Sequence, residues 1–368
     1  MLPLEGVTVL DFSTLLPGPL ASLMLAEAGA DVIKVERPGT GDETRGYPGD
    51  IDGESVCFAM LNRGKTSLAI DLKSDAGLAT LDPYLEKADI LLEQFRPGVM
   101  DRLGLGYQAL SERFPRLIYC SISGYGQTGP KAQAAGHDLN YIAQTGLLSL
   151  SMGPVSEPVV PPALIADIAG GTYPAVINIL LALEARRKTG RGCHIDVSMT
   201  DNMFPLMWWA LAQHATTGAA PGNADETLNG GGPRYHLYPT SDGRVVAAAP
   251  LEDRFWARFC DAIDLPVPLR DDTFHAEATL AEVRRIIAAR SAAEWAVIFA
   301  EADCCCTLVE DMETALADPH FQARGLFDRK LRVGSQSISA LPLPIAPGFL
   351  RDGETGAPAL GAAPLLKN

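Results

Sequence analysis

The chain has 368 residues, 47% of them hydrophobic, so it is long enough for two domains with a sizeable core. Its 45 acidic residues outnumber its 30 lysines and arginines, which gives a formal net charge of −15 at pH 7. Binding to nucleic acid or to an anionic membrane is driven by clustered cations, so this composition argues against both as the main partner. A small anionic ligand held by a few arginines is compatible with it.

Neither a leader peptide nor a membrane span is expected. The first residues lack a basic segment followed by an apolar run, and the longest apolar stretches, residues 177–183 and 203–212, are too short to cross a bilayer. The seven cysteines form no paired CxxC motif and no zinc spacing with histidine. We therefore expect a cytoplasmic protein with reduced thiols and no metal.

Strand and helix patterns alternate along the first third of the chain. The predicted strands are residues 6–11, 31–36, 67–72, 89–94 and 117–123, and the predicted helices are residues 20–28, 76–87 and 107–114. Strand, helix and strand within about thirty residues form a unit whose strands are parallel and whose crossover is right-handed. The predicted fold class is therefore α/β, with an open, Rossmann-like sheet of the doubly wound type.

The loop after the first predicted strand lacks the usual dinucleotide-binding fingerprint. Residues 12–19 read FSTLLPGP, whereas a nucleotide-binding loop at this position reads G-x-G-x-x-G. The prolines would also stiffen a phosphate-binding loop. The sequence therefore disfavours an oxidoreductase that uses a nicotinamide cofactor.

The second half of the chain predicts a smaller α/β domain. Helices are expected at 166–187 and 199–215, with a short strand at 193–197 between them, and residues 216–232 have the composition of a linker. A strand at 243–249 and helices at 253–263 and 280–302 follow. We predict a large domain of residues 1–215, completed by the extended tail 325–368, and a small domain of residues 233–324.

Five polar residues stand where chemistry is plausible. His137 follows a glycine at the start of a predicted helix, and Asp167 opens the helix that contains Gly170 and Gly171. Asp167 and Glu252 are each open to two interpretations, a helix-terminus residue or a catalytic carboxylate. Arg37 and Arg96 end two strands of the sheet, which suits a phosphate-bearing ligand but also describes two solvated charges.

Ten separate pieces of the sequence, taken together, carry a family resemblance. They are residues 10–11, 17–19, 29–39, 62–65, 71–73, 95–99, 115–119, 123–129 and 136–141, together with Asp167. In this order and spacing they resemble the family III CoA-transferases (CaiB/BaiF superfamily), and most closely its alpha-methylacyl-CoA racemases. The resemblance extends from about residue 4 to about residue 350, so it covers nearly the whole chain.

Two chemistries are known in that superfamily. Its transferases use one aspartate as the nucleophile that attacks a CoA thioester, and Asp167 matches it. Its racemases have an aspartate there and a histidine in a Gly-His-Asp-x-Asn-Tyr segment, which His137 matches, and Glu252 matches a glutamate that orients the histidine. Inverting the carbon beside a thioester requires two acid/base groups on opposite faces. The resemblance favours a 2-methylacyl-CoA racemase, with a CoA-transferase as the alternative.

Two observations count toward the alternative. Asn229 stands where racemases usually have the aspartate of an Asp-Gly-Gly linker, and the run of cysteines at 304–306 is unusual for them. The histidine segment also occurs in relatives described as transferases. A third possibility, an acyl-CoA binding protein without catalysis, would not need His137, Asp167 and Glu252 together.

The resemblance also implies a binding site and an assembly. The implied CoA contacts are Arg37, Ile70, Asp71, Leu72, Lys73, Gln94, Phe95, Arg96, Arg102, Ala135, Gly136, Asp138, Asn140 and Tyr141. Coenzyme A is part of the substrate, and no metal or redox cofactor is implied. Family members form interlocked homodimers, and a role in fatty acid metabolism is expected. Leu15, Leu16 and Met203 are candidates for the acyl pocket.

Overall fold

The computed structural model describes residues 1–364. They fall into two compact units, and each unit draws on separate stretches of the chain. The first contains Met1–Thr145, Pro162–Leu206 and the described part of His320–Asn368. The second contains Gly146–Pro161 and Met207–Pro319.

Most of the first unit precedes residue 199. In chain order its elements there are β1 (Thr8–Asp11), α1 (Pro17–Glu27), β2 (Asp31–Glu36), β3 (Asp50–Ile51), β4 (Glu54–Ser55), α2 (Val56–Asn62), β5 (Thr66–Ala69), α3 (Asp75–Leu85), β6 (Ile90–Glu93), α4 (Val99–Arg102), α5 (Tyr107–Arg113), β7 (Ile118–Ser123), α6 (Asp138–Gln144), α7 (Tyr173–Thr189) and β8 (His194–Ser198). The alternation predicted up to residue 123 is confirmed, with boundaries that differ by a few residues.

Six of these strands form one parallel sheet in the order β5-β2-β1-β6-β7-β8. Leu10 at its centre pairs with Ile33 on one side and Leu91 on the other. The chain winds outward from β1 in one direction and from β6 in the other, so the predicted doubly wound fold is confirmed. The strand order reverses between β1 and β6, and ligands of such sheets bind beyond the carboxyl ends at that point.

The core of the first unit contains buried charged side chains as well as apolar ones. All eleven residues of α1 are buried, as expected of a helix without a polar face. The one acidic residue of this helix, Glu27, is paired with Arg63 and with Arg329 of the tail. Burial of a charge is tolerated because both of its oxygens have cationic partners.

The second unit has its own core around a three-stranded antiparallel sheet, β11-β10-β9. Its elements are α8 (Trp208–Thr217), β9 (His236–Pro239), β10 (Val245–Ala248), α9 (Asp253–Ala262), α10 (Asp272–Ile287), α11 (Ala292–Ala302), β11 (Cys306–Leu308) and α12 (Met312–Ala317). Its core contains Trp256, Phe259, Trp295 and Phe299. The boundary with the first unit differs from the predicted residue 215, because α8 packs on Leu150 through Ala210.

The tail belongs to the first unit and contains α13 (Pro319–Ala323), β12 (Lys330–Val333), β13 (Gln336–Ser339) and β14 (Thr355–Gly356). Strand β12 pairs with both β13 and β14. Leu331 and Val333 pack on Ala59 of α2, a helix that the sequence analysis missed.

Three predicted helices have a different form in the structure. The helix expected at 166–187 begins as a π-helical segment, Ala166–Thr172, and continues as α7. The helix expected at 199–215 is a 3₁₀ segment (Asp201–Met207) followed by α8, because Pro205 cannot continue an α-helix. The stretch 280–302 is divided between α10 and α11, and Ser291 caps the second of them with Glu294.

The segment Ala166–Thr189 is, among the described helices, the one long and apolar enough to cross a membrane. From the sequence, no apolar stretch long enough to span a bilayer was expected. Half of its most apolar part is buried in the protein, and Ala175 and Ile179 are fully buried. A core helix of a soluble protein meets the same criteria of length and composition.

Candidate active site

A cavity of about 410 Å³ lies beyond the carboxyl ends of β1, β6 and β7, beside the point where the strand order reverses. Its lining residues are Leu15, Pro17, Gln94, Phe95, Arg96, Pro97, Ile122, Ser123, Gly124, Ala132, Ala134, Ala135, Gly136, His137, Asn140, Tyr141, Asp167 and Met199. Two predicted catalytic residues, His137 and Asp167, therefore line one cavity at the expected edge of the sheet.

His137 immediately precedes α6, and its neighbours fix the backbone that carries it. The His137 N–H donates to the Asn140 side-chain oxygen at 3.0 Å, and the Asn140 N–H donates to the His137 carbonyl at 2.8 Å. The Tyr141 hydroxyl donates to the Gly136 carbonyl at 2.5 Å. A Cβ atom on Gly136 would lie 2.6 Å from the Tyr141 ring, so only glycine fits there. These contacts explain the spacing of the Gly-His-Asp-x-Asn-Tyr segment.

Asp167 lies inside the π-helical segment and does not cap it, because the residue before the segment is Ile165. Its N–H donates to the buried Asp138 carboxylate at 2.9 Å, which joins the segment to α6. π-helical turns are rare and occur often at functional sites. Asp138 does not line the cavity. Its hydrogen bond to the backbone of Asp167 positions that residue from outside the cavity.

The two glycines after Asp167 have a packing role. A Cβ atom on Gly170 would lie 2.6 Å from the Met199 carbonyl oxygen, and one on Gly171 would lie 3.0 Å from the Pro17 side chain. Both glycines are buried against protein, so they bring the helix, and Asp167 with it, close to the loop after β1.

The environment of Asp167 suits proton transfer near neutral pH. Burial, and then the negative charge of Asp138, raise the pKa of Asp167 to about 6, while His137 works in the opposite direction. A catalytic carboxyl group is most effective when its pKa lies near the working pH.

Asp138→Asn is expected to shift the pH profile of catalysis to lower pH. Asparagine keeps an oxygen for the Asp167 N–H but removes the charge that raises the pKa of Asp167. The pKa should therefore fall from about 6 but stay above 3.8, because burial remains the larger cause. Activity that needs the Asp167 carboxylate is lost as the pH falls through this pKa. The acid limb of the pH profile of kcat/KM should therefore move to lower pH. Asp31→Asn, an exposed residue at the opposite edge of the sheet, should leave that limb in place.

A second cavity, of about 230 Å³, lies at the carboxyl ends of β1, β2 and β5. Its lining residues are Phe12, Thr14, Val35, Glu36, Arg37, Gly41, Asp42, Ile70, Asp71, Leu72, Lys73, Phe95, Val99 and Leu103. Six of the predicted CoA contacts, Arg37, residues 70–73 and Phe95, line it, and the cations Arg37 and Lys73 are exposed. Phe95 lines both cavities, so the two sets of predicted residues meet at one side chain.

The start of α1 has no backbone donors to offer a pyrophosphate. Pro17 and Pro19 lack N–H groups, and the Gly18 N–H donates to the Gln94 side-chain oxygen at 2.9 Å. This gives a physical reason for the missing glycine fingerprint, since that motif works through helix N-terminal N–H groups. A phosphate bound at the start of α1 would therefore have to be held by side chains.

Five predicted residues line neither cavity, among them the CoA-contact candidate Asp138 and the acyl-pocket candidate Leu16. Arg102 is the exposed last residue of α4 and lines neither cavity. Glu252 is exposed in the second unit, directly before α9, and its side chain makes no capping hydrogen bond. Met203, an acyl-pocket candidate, is fully buried beneath Gly170, whereas Leu15 does line the first cavity.

Sequence analysis missed Glu93, which supports the turn between the two cavities. It is buried, its carboxylate accepts the Phe95 N–H at 2.8 Å, and burial raises its pKa to about 7. The turn it holds carries Phe95 and Arg96 into the first cavity. A charged residue ending the apolar run 90–92 was the signal available in the sequence.

Comparison with known proteins decides the family. The family model described as CoA-transferase family III matches residues 4–363. The chain belongs to this family. It is 34% identical to the alpha-methylacyl-CoA racemase of Homo sapiens over 364 residues, which covers 95% of this chain and 89% of that protein.

Other family III relatives carry different activities in their names. The chain is 35% identical to the acetyl-CoA:oxalate CoA-transferase of Acetobacter aceti over 302 residues, covering 80% of this chain and 77% of that protein. A solved CaiB/BaiF family protein from Brucella suis shares 29% identity with a TM-score of 0.83, covering 98% of this chain and 97% of that one. The predicted family and its enzymatic nature are thus confirmed, with racemases and transferases at similar identity.

Proposed function

We propose that this family III enzyme is a racemase that inverts the α-carbon of a 2-methylacyl-CoA. The observation that carries the proposal is the presence of His137 and Asp167 on the walls of one cavity. A transferase needs only the carboxylate, whereas inversion needs a proton acceptor on one face and a proton donor on the other. A histidine and a carboxyl group with a pKa of about 6 form such a pair.

In the proposed reaction, one group removes the α-proton and leaves an enolate of the thioester. The other group then donates a proton to the opposite face of the same carbon. The reverse epimer uses the same two groups with their roles exchanged. Each turnover moves one proton onto one group and one off the other, and exchange with water restores the starting forms.

The second cavity supports the binding of the CoA portion. Arg37 and Lys73 stand exposed at its edge, where they would pair with phosphate groups, and Arg96 would do so in the first cavity. Phe95 lies between them, so an extended pantetheine arm would pass over its ring. The acyl end would then lie among Leu15, Met199 and Asp167.

A CoA-transferase is the second candidate, favoured by the oxalate-specific relative at 35% identity. In that reaction Asp167 would attack the thioester and carry CoA to a free acid. A cation is a strong partner for each carboxylate of a dicarboxylic acid acceptor. Among the described residues that line the first cavity, Arg96 is the one lysine or arginine, which fits a racemase better.

We also propose that the enzyme is a homodimer, as the family resemblance implies. An apolar groove of about 670 Å³ in the first unit is lined by α1, α7 and the tail. On α7, Ile177 is 56% exposed and Leu181 is 62% exposed. Exposed apolar patches of this kind mark protein contacts, and a second copy is the occupant proposed here.

The test is proton NMR of (S)-2-methyldecanoyl-CoA with the enzyme in deuterated water. Deuterium at the α-carbon together with the (R) epimer is the expected result. A second sample contains free succinate and succinyl-CoA in place of the methyl-branched thioester, with acetate as a further acceptor. Transfer of CoA between acids without any α-exchange would overturn the racemase and leave Asp167 as a nucleophile.

A further inference from the structure

The turn after β1 contains an unusual backbone conformation at Leu15. Its φ is +65°, in the left-handed region that L residues other than glycine, asparagine and aspartate seldom adopt. Of the described non-glycine residues with positive φ, Leu15 is the one with a branched aliphatic side chain. Such strain persists only where the surroundings impose it, and it concentrates at functional sites.

A fully buried ion pair lies directly behind this turn. The Lys34 ammonium donates to the Ser13 carbonyl at 2.8 Å and lies 2.9 Å from the Asp42 carboxylate, and both side chains are inaccessible to solvent. The other Asp42 oxygen accepts the Leu15 N–H at 3.4 Å and the Thr44 hydroxyl at 2.7 Å. The pair therefore binds the turn at two backbone groups, the Ser13 carbonyl and the Leu15 N–H, which lie on either side of Thr14.

The pKa of Asp42 is consistent with these contacts. Burial works to raise the pKa of Asp42, but Lys34 and the Thr44 hydrogen bonds outweigh it and hold that pKa below its usual value. Asp42 is thus a carboxylate at neutral pH. Separating Lys34 from Asp42 would leave a buried charge without its ionic partner, which is strongly destabilising. Movements of the turn that would part them are therefore unfavourable.

The strain has a consequence for the cavity that holds Asp167. Leu15, Pro17 and Met199 supply apolar lining on that side of the cavity, and Leu15 belongs to the gripped turn. We propose that Lys34 and Asp42 are positioning residues that hold Leu15 in its left-handed conformation as a fixed wall, which selects the acyl group by size. The inference rests on the proposed function in one respect, that an acyl group occupies the cavity.

The strain is tested by comparing Leu15→Gly with Leu15→Ala, which lose the same side-chain contacts beyond Cβ. Glycine adopts positive φ freely, so the unfolding equilibrium constant in urea should be about tenfold smaller for Leu15→Gly than for Leu15→Ala. Glycine normally lowers stability relative to alanine. The normal order at this position would overturn the proposal.

The positioning role is tested by acyl selectivity. The ratio of α-exchange rates for 2-methyldecanoyl-CoA and 2-methylbutanoyl-CoA should rise about tenfold in Leu15→Ala, because the wall is shortened. Lys34→Met should raise the same ratio, since the released turn withdraws Leu15. Arg63→Met, which breaks the buried pair with Glu27 elsewhere in the unit, should destabilise the protein without changing the ratio.

The outcomes separate the two proposals. A folded Lys34→Met enzyme with the wild-type ratio would overturn the positioning role. If Lys34→Met does not fold, the glycine and alanine comparison still decides the strain on which that role depends. An absence of α-exchange in the wild-type enzyme would overturn the racemase alone, because the unfolding comparison needs no activity.

Discussion

Asp167→Asn is expected to lower the rate of α-proton exchange about 10³-fold for the epimer whose α-proton faces Asp167, while leaving the KM for acyl-CoA within a few-fold of wild type. Asparagine keeps the size and one oxygen of the carboxyl group, so the packing of the π-helical segment should persist. What is lost is a group that takes up and releases a proton with a pKa of about 6. The measurement is single-turnover exchange in deuterated water, with KM from the concentration dependence.

The matched control is Asp31→Asn, which removes an exposed carboxylate at the amino end of β2. Its exchange rate should equal that of wild type. If Asp167→Asn kept more than a tenth of the wild-type exchange rate for both epimers, Asp167 would not be an acid/base group. The covalent transferase mechanism predicts a different result: the wild-type enzyme shows no α-proton exchange, and Asp167→Asn loses CoA transfer.

His137→Ala is expected to separate the two half-reactions of a racemase. Epimer formation should fall about 10³-fold, because the group on one face of the α-carbon is missing. Exchange of deuterium should continue for the epimer whose α-proton faces Asp167, since that group can remove and return a proton on its own face. The measurement is α-exchange and epimer composition for each pure epimer, followed in parallel by NMR and chiral chromatography of the hydrolysed acid.

His194→Ala provides the control, because His194 is exposed at the start of β8 and does not line the first cavity. It should leave both exchange and epimer formation near wild-type values. Equal exchange of both epimers by His137→Ala would exclude the assignment of His137 to one face. Together, the asparagine and alanine variants should show opposite stereochemical preferences for the exchange that remains.

The sheet could be predicted from the sequence because its signals are local. Residues 31–36 are rich in β-branched side chains, residues 117–123 are mostly apolar, both runs have strand length, and both contain strands in the structure. The order of the strands is set by long-range pairing, for example Leu10 with Leu91, and no local pattern encodes it. Helix 166–187 was expected as one α-helix, because the π-helical turn depends on packing against Met199 rather than on helix propensity.

The site was predictable only in part, because it also depends on contacts between residues that are far apart in the sequence. His137 and Asp167 are thirty residues apart, and their common cavity depends on the bond from the Asp167 N–H to Asp138. From the residues alone, each was open to a structural interpretation, and the family resemblance selected the pair. Asp42 acts through the backbone N–H of Leu15, which lies 27 residues earlier in the chain, and no local pattern around Asp42 reveals that contact.

The paired carboxylate of Glu27 bears on how this protein is made. Glu27 lies in α1, one partner is Arg63, and the other is Arg329 near the end of the chain. During synthesis on the ribosome, the whole second unit is translated before Arg329 emerges. Until then α1 contains a buried charge with half of its partners, and β12 is absent from its place against α2. The nascent first unit therefore stays incomplete until the whole second unit and the following tail strand β12 have been made.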